Sequence, residues 1–104
     1  MPLSTQDIKR LRRIGHHLKP VLIFGDKGLS DNFVEELNLR LEDHELIKVK
    51  VNAETRDERA AIVQALTEKG SAELIQRIGN IALLYRPAQQ PNAKLSNILR
   101  YQNA

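Results

Sequence analysis

The residues best suited to chemistry are Gly25-Asp26-Lys27-Gly28, which directly follow the apolar run Val21-Leu22-Ile23-Phe24 and come just before a helix-start signal at Ser30. Two glycines around a lysine, between a strand and a helix, make a turn where backbone can come close to a phosphate. Glycine has no Cβ to hold a ligand away, and it tolerates positive φ. The helix that follows offers unpaired backbone N–H groups and the positive end of its dipole. Lys27 adds a mobile charge. The bland reading of the same four residues is an ordinary strand-to-helix turn in which glycine serves steric needs only.

Other site chemistries find little support in the sequence. There is no cysteine, which excludes disulfides, thiolate nucleophiles and cysteine metal sites. His44-Glu45 begins like a zinc-helix motif, but the second histidine that motif needs is Lys48 here. His16 and His17 are adjacent, so on a helix they point to different sides. The glycine loop is neither a Walker A nor a G-x-G-x-x-G sequence, and no serine sits in a nucleophile elbow. Carboxylates are numerous but scattered. The expectation is a protein that is not an enzyme and needs no metal or cofactor.

Charge distribution narrows the ligand. The net charge is +3 and the pI near 9.5. Residues 1–20 hold Lys9, Arg10, Arg12, Arg13 and Lys19 against Asp7 alone, a net of +4. Residues 29–69 hold six bases against ten acids, a net of −4, and residues 88–104 hold Lys94 and Arg100 with no acid. Bases gathered in this way are the electrostatic footprint of a nucleic-acid binder; the competing reading is a solvated helix face. The aromatic residues are two Phe and two Tyr. Phe24 and Phe33 fall in apolar core patterns, and Tyr85 in a strand fits packing better than stacking a base. With no aromatic platform for bases, binding would run through phosphates and shape.

The elements that position these groups follow from periodicity and punctuation. Ser4 with Asp7 makes a capping box for a first helix, whose apolar stripe is Ile8, Leu11, Gly15 and Leu18 and which Pro20 ends. Lys9, Arg13 and His17 share another of its faces. Val21–Phe24 reads as a buried central strand. Ser30 caps a second helix to about His44, with Phe33, Leu37 and Leu41 inward. Residues 45–51 alternate, with Ile47, Val49 and Val51 on one face and Leu46, Lys48 and Lys50 on the other. Thr55 with Glu58 starts a third helix, running to Gly70. Residues 74–78 and 81–86 form a hairpin across Gly79-Asn80. The order α-β-α-β-α-β-β makes an α+β fold of two layers, helices on a four-stranded mixed sheet with its first strands parallel.

The length of 104 residues suits one domain. Residues 1–87 form it, and residues 88–104, with Pro91 and scattered apolar side chains, read as an extended or partly helical tail. No apolar run approaches the ~20 residues of a membrane span, and the N-terminus lacks a signal-peptide pattern. These features point to a cytoplasmic monomer with no membrane partner.

Four segments carry a family resemblance: His16-His17-Leu18-Lys19-Pro20, Gly25-Asp26-Lys27-Gly28-Leu29-Ser30, His44-Glu45-Leu46-Ile47-Lys48-Val49-Lys50 and Leu83-Leu84-Tyr85-Arg86-Pro87. In this order, over residues 4–87, they resemble a bacterial stand-alone CRM domain of the YhbY type, the chloroplast RNA splicing and ribosome maturation module. The resemblance implies a fold similar to the C-terminal domain of translation initiation factor 3 and an RNA-binding function with a GxxG loop analogous to that of KH domains. It also implies ribosomal RNA in precursors of the large ribosomal subunit as partner, with ribosomal proteins nearby. The residues it points to are Gly25, Asp26, Lys27 and Gly28; the charge pattern adds Lys9, Arg10, Arg12, Arg13, His17 and Lys19, and Lys48 and Lys50 either extend that surface or simply face solvent at a strand edge. Asp26 departs from the family, which usually has a base there. Either Lys27 alone supplies the loop's charge or Asp26 turns away to cap the helix. Two other classes compete: a protein-interaction module whose acidic middle meets a basic ribosomal partner, and a small nucleotide-binding enzyme.

Overall fold

In the computed structural model of the chain, residues 3–101 are described; the outer ends of the expected domain and tail, 1–2 and 102–104, lie outside the described residues. The Ser4 hydroxyl accepts from the Asp7 N–H and the Asp7 carboxylate accepts from the Ser4 N–H, so the capping box forms and starts α1 (Thr5–Gly15). This helix stops five residues before Pro20, earlier than its apolar stripe implies. His17 N–H donates to Ile14 O and Leu18 N–H to Gly15 O, tightening the last turn. Lys48 Nζ then donates to Leu18 O at 3.0 Å and fixes the exit. Gly15 lets the helix lie close to the sheet, because a Cβ there would come within 2.5 Å of the Leu83 side chain.

The strands β1 (Pro20–Phe24), β2 (Leu46–Val51), β3 (Glu73–Ile78) and β4 (Ile81–Tyr85) form one mixed sheet in the order β1-β2-β4-β3. β1 and β2 are parallel, with Phe24 opposite Val51; β4 runs antiparallel to both β2 and β3. The hairpin turns at Gly79, whose φ of 56° suits glycine. The expected α+β fold with a four-stranded mixed sheet is therefore present. β1, however, is an edge strand and not a buried central one. Its apolar run is continuous, yet Ile23 is 61 % exposed and Val21 is exposed too, because no helix covers that part of the face.

Helices pack on both faces of the sheet, which adds a layer to the expected two. On one face α2 (Asp31–His44) and α3 (Arg56–Gly70) bury Leu37, Leu41, Val63 and Leu66 against Ile47, Val49, Val51, Ala82 and Leu84. On the other, α1 brings Leu11 and Ile14 onto Leu46, Ile75 and Leu83, joined by Ile98 of a short helix α4 (Asn97–Arg100). Each fully buried leucine or isoleucine contributes about 1.5–3 kcal/mol. The caps expected of α2 and α3 form: Ser30 Oγ accepts from Phe33 N–H and Thr55 Oγ1 from Glu58 N–H.

The strand directions give the sheet two unlike ends. At one, here the tail end, lie the C-termini of α2, α3 and β4 and the chain after residue 85. There Glu45, buried and held at φ 65°, accepts from Ser96 Oγ at 2.7 Å and from Ala88 N–H at 2.9 Å. Glu42 accepts from the N–H groups of Gln89 and Gln90, and Asn97 Nδ2 donates to Leu46 O. At the other, the loop end, the C-termini of β1, β2 and β3 meet the N-termini of α2 and α3; Asn52 N–H donates to Phe24 O and Val51 N–H to Asn80 O. Among the described residues no helix is long and apolar enough to cross a membrane.

Candidate nucleic-acid interface

The tetrapeptide 25–28 stands at the loop end, on the edge of the sheet. It is closed by a hydrogen bond from Gly28 N–H to Gly25 O at 3.0 Å, and Gly28 takes φ 65°. A side chain at Gly28 would be strained. The Gly28 N–H is thus spent inside the turn, and its role is to set the turn's shape. A Cβ built at Gly25 or Gly28 would meet nothing within 4 Å, so both glycines face open space. The loop lines a cleft of about 420 Å³ with Ile23, Ser30, Asn32, Phe33 and Glu36, whose carboxylate is paired with Arg40. Asp26 does not cap α2, because Ser30 does; Lys27 is the loop's one cation, and it is exposed.

On α1 the bases separate by face. Lys9, Arg12, Arg13, His16 and His17 line a groove of about 380 Å³ whose floor is Gln76 and Ile78 of β3. Arg10 lies elsewhere, beside Asp7, Leu3 and Tyr85. Hydrogen bonds from Ser4 hold the Asp7 carboxyl below its ordinary pKa, with a smaller contribution from Arg10. Lys19 and His17 border a third hollow shared with Arg100 and Tyr101, where the Tyr101 ring stacks on His17 at 6.1 Å and an interplanar angle of 5°. Tyr85 packs half-buried against the α1 core, and burial raises its phenol above the ordinary value.

The two sheet lysines differ. Lys48 is tied to Leu18 O and holds the chain between α1 and β1. Lys50 pairs across the sheet with Ile23 on one side and Ile81 on the other, and Ile81 pairs with Ile78. These four side chains form a row on the α1 face that α1 does not cover, for Ile23 and Ile78 are both more than half exposed. The structure therefore brings the glycine loop, Lys50 and the basic groove to one side of the molecule. It sets Arg10 and Lys48 apart.

A further group of bases lies at the loop end beside β3. Arg56 and Arg59 of α3 and Arg77 of β3 surround a hollow of about 330 Å³ beside Gly79. Arg56 and Arg59 fall within an acid-rich stretch of the sequence. The signal that marks them is their spacing of three on one helix face, which charge totals by segment do not register. Among the described residues the ion pairs are those of Arg40 with Glu36 and Asp43. Among the described residues, none of the cations at the loop, on α1, on β2 or around the Gly79 hollow has a carboxylate partner.

The chain is also similar to known proteins. A family model described as the CRS1 / YhbY (CRM) domain matches residues 3–86. A Pseudomonas aeruginosa protein named "Probable RNA-binding protein" is 46% identical over 97% of this chain and 97% of its own length. A Haemophilus influenzae protein named "RNA-binding protein" is 38% identical over 89% of this chain and 94% of its own. The solution structure of a Staphylococcus aureus protein superposes with a TM-score of 0.73 at 29% identity, covering 86% of this chain and 93% of that one.

Proposed function

Because this chain belongs to the CRS1/YhbY (CRM) domain family, we propose that it is a non-catalytic RNA-binding protein. Its RNA on this reading is ribosomal RNA in precursors of the large ribosomal subunit, met in the cytoplasm by a monomer. The observation that carries the reading is the set of unpaired cations on one side of the molecule, Lys27 at the loop and Lys9, Arg12 and Arg13 on α1. A lone exposed cation is commonplace. Several without carboxylate partners, around two open clefts, suit a polyanion.

The parts divide the work. The 25–28 turn presents backbone at a bare surface, with Gly28 fixing its shape and Lys27 meeting a phosphate as a point charge. The N-terminus of α2 lies in the same cleft and favours negative charge. Lys9, Arg12, Arg13 and His17 hold the backbone further along, Lys50 joins them across the uncovered row, and Lys19 adds charge from the hollow beside Tyr101. Arg10 steers from a distance, and Lys48 holds the scaffold. Residues 88–101 act as a strap on the domain formed by the chain to residue 87.

Filter binding to large-subunit ribosomal RNA between about 50 and 200 mM salt tests the reading. Six to eight phosphate contacts should cost about two to four decades of affinity over that range. The double variant Lys27→Ala with Gly28→Asp should bind more weakly and keep a single cooperative thermal transition. Salt-insensitive affinity, or full affinity in the variant, would favour a protein-interaction module whose glycine loop is only a turn.

A further inference from the structure

We propose that Arg56, Arg59 and Arg77 form a second phosphate grip, so that one double-helical RNA is held at both edges of the sheet's loop end. The inference rests on the RNA-binding reading and adds to it a site and the class of RNA.

Three guanidiniums around one hollow repel one another, and the free protein offsets this with no ion pair among the described residues. The nearest acid along the helix with an assigned partner, Glu58, accepts from Glu54 N–H and serves the helix start. Arg59 is held by one long hydrogen bond, from Nη1 to Gly79 O at 3.4 Å, and its Nε–H is shut off from water with no acceptor. A donor left so is costly in the free protein, and a small turn of the guanidinium toward an arriving phosphate would satisfy it. Arginine is also the side chain whose planar fork fits phosphate oxygens two at a time.

Placement gives the ligand class. β3 lies three strand spacings from β1 across the sheet, about 14 Å, so the arginines and the glycine loop form two grips at opposite edges of one rim. On β3, Arg77 stands next to Ile78, which lines the groove beneath α1. The cationic surface therefore continues around the β3 edge from one face to the other. Proteins that hold single strands stack bases on aromatic rings. Here Phe24 and Phe33 pack edge to face with each other in the core beside the loop. An A-form duplex asks for no stacking; it presents phosphates on both sides of a wide, shallow minor groove, which suits two separated cationic grips.

The test compares the whole protein with Arg56→Gln/Arg59→Gln/Arg77→Gln, using a synthetic RNA hairpin of about 20 base pairs, longer than the ~16 a small duplex-binding domain spans, and a polyuridine strand of equal length. The wild type should prefer the hairpin. The triple variant should bind it about 10- to 100-fold more weakly, and its plot of log affinity against log salt should be shallower by about two. If the triple variant loses its thermal transition, Arg56→Gln/Arg77→Gln, at two exposed positions, should still flatten the slope by about one. Unchanged affinity and slope beside a wild type that binds would overturn the second grip and leave the RNA reading standing. Preference for polyuridine would overturn the duplex. Loss of polyglutamate binding with RNA affinity intact would assign the arginines to an acidic protein instead. A wild type that binds neither RNA would defeat the RNA reading and this inference together.

Discussion

Arg86 and Arg59 lie toward opposite ends of the sheet, and they differ in what surrounds the guanidinium. Arg86 donates from Nη1 to Asn38 Oδ1 at 2.7 Å and to Gly70 O at 3.0 Å, and from Nη2 to Asn38 O at 3.0 Å. One side chain thus ties the end of β4 to the middle of α2 and the C-terminus of α3. Arg59 has one long hydrogen bond, an unsatisfied Nε–H and two arginines for neighbours. The contrast extends to their surroundings. At the tail end Glu42, Glu45, Ser96 and Asn97 are all answered from within the chain; at the loop end Lys27, Arg56 and Arg77 are not. A cation whose donors are satisfied internally is part of the scaffold, and a gathered set left without partners is available to a ligand.

Breaking the scaffold side should produce the largest effect. Arg86→Met keeps the stem but leaves the Asn38 and Gly70 acceptors without their donor, a loss of about 2–3 kcal/mol, or a melting temperature lower by about 10 °C or more. RNA affinity measured below that transition should not change; a matching loss of affinity would erase the distinction between the ends. Glu45→Gln comes next. The amide can donate to the Ser96 hydroxyl or accept from it, but it serves two donors less well than a carboxylate does, and about 1–2 kcal/mol should go. Proteolysis of the chain after residue 87 should quicken in parallel.

The converse holds at the loop end, where Lys27→Ala should move stability by less than about 0.5 kcal/mol while weakening RNA binding about threefold to tenfold. The smallest effect is set by pH. Hydrogen bonds from the Gln89 and Gln90 N–H groups keep the Glu42 carboxyl below its ordinary pKa, and Asp7 is lowered by Ser4. For such groups the unfolded chain binds more protons as pH falls, so their stabilisation is complete above about pH 5 and is lost on acidification through the folded values. The amide resonances of Gln89 and Gln90 should shift as Glu42 protonates, and in Glu42→Gln they should not. Resonances that stay fixed to pH 3 would show that the strap is held by something else.

Much of this was legible in the sequence because it is local. The Ser4–Asp7 box, the Ser30 and Thr55 caps and the Gly79-Asn80 turn each depend on residues three or four apart. The alternation in β2 separated its core face from its lysine face. What was not legible depends on contacts distant in sequence. A run such as Val21–Phe24 looks the same at an edge as at the centre until the coverage by α1 is known. The α1 stripe continues to Leu18, but the helix ends at Gly15, and Lys48, thirty residues away, holds the chain beyond it through the Leu18 carbonyl. The hold of Glu45 on Ser96 spans 51 residues. The arginine cluster joins α3 to β3, inside and beyond a stretch whose total charge is negative. At the site, the glycine loop could be picked out from its spacing, whereas the use of the Gly28 N–H within its own turn could not.

On the proposed reading RNA meets the loop end of the sheet and the groove under α1, while the tail end is scaffold. Amide chemical-shift mapping of the whole protein, titrated with the hairpin RNA at moderate salt, tests it most directly. The strongest changes should fall at residues 25–32, 56–59 and 76–80 and along the Lys9–His17 face of α1, with Glu45, Arg86 and residues 88–97 nearly unmoved. Strong changes centred on Glu42, Glu45 and the strap, with the glycine loop silent, would contradict it.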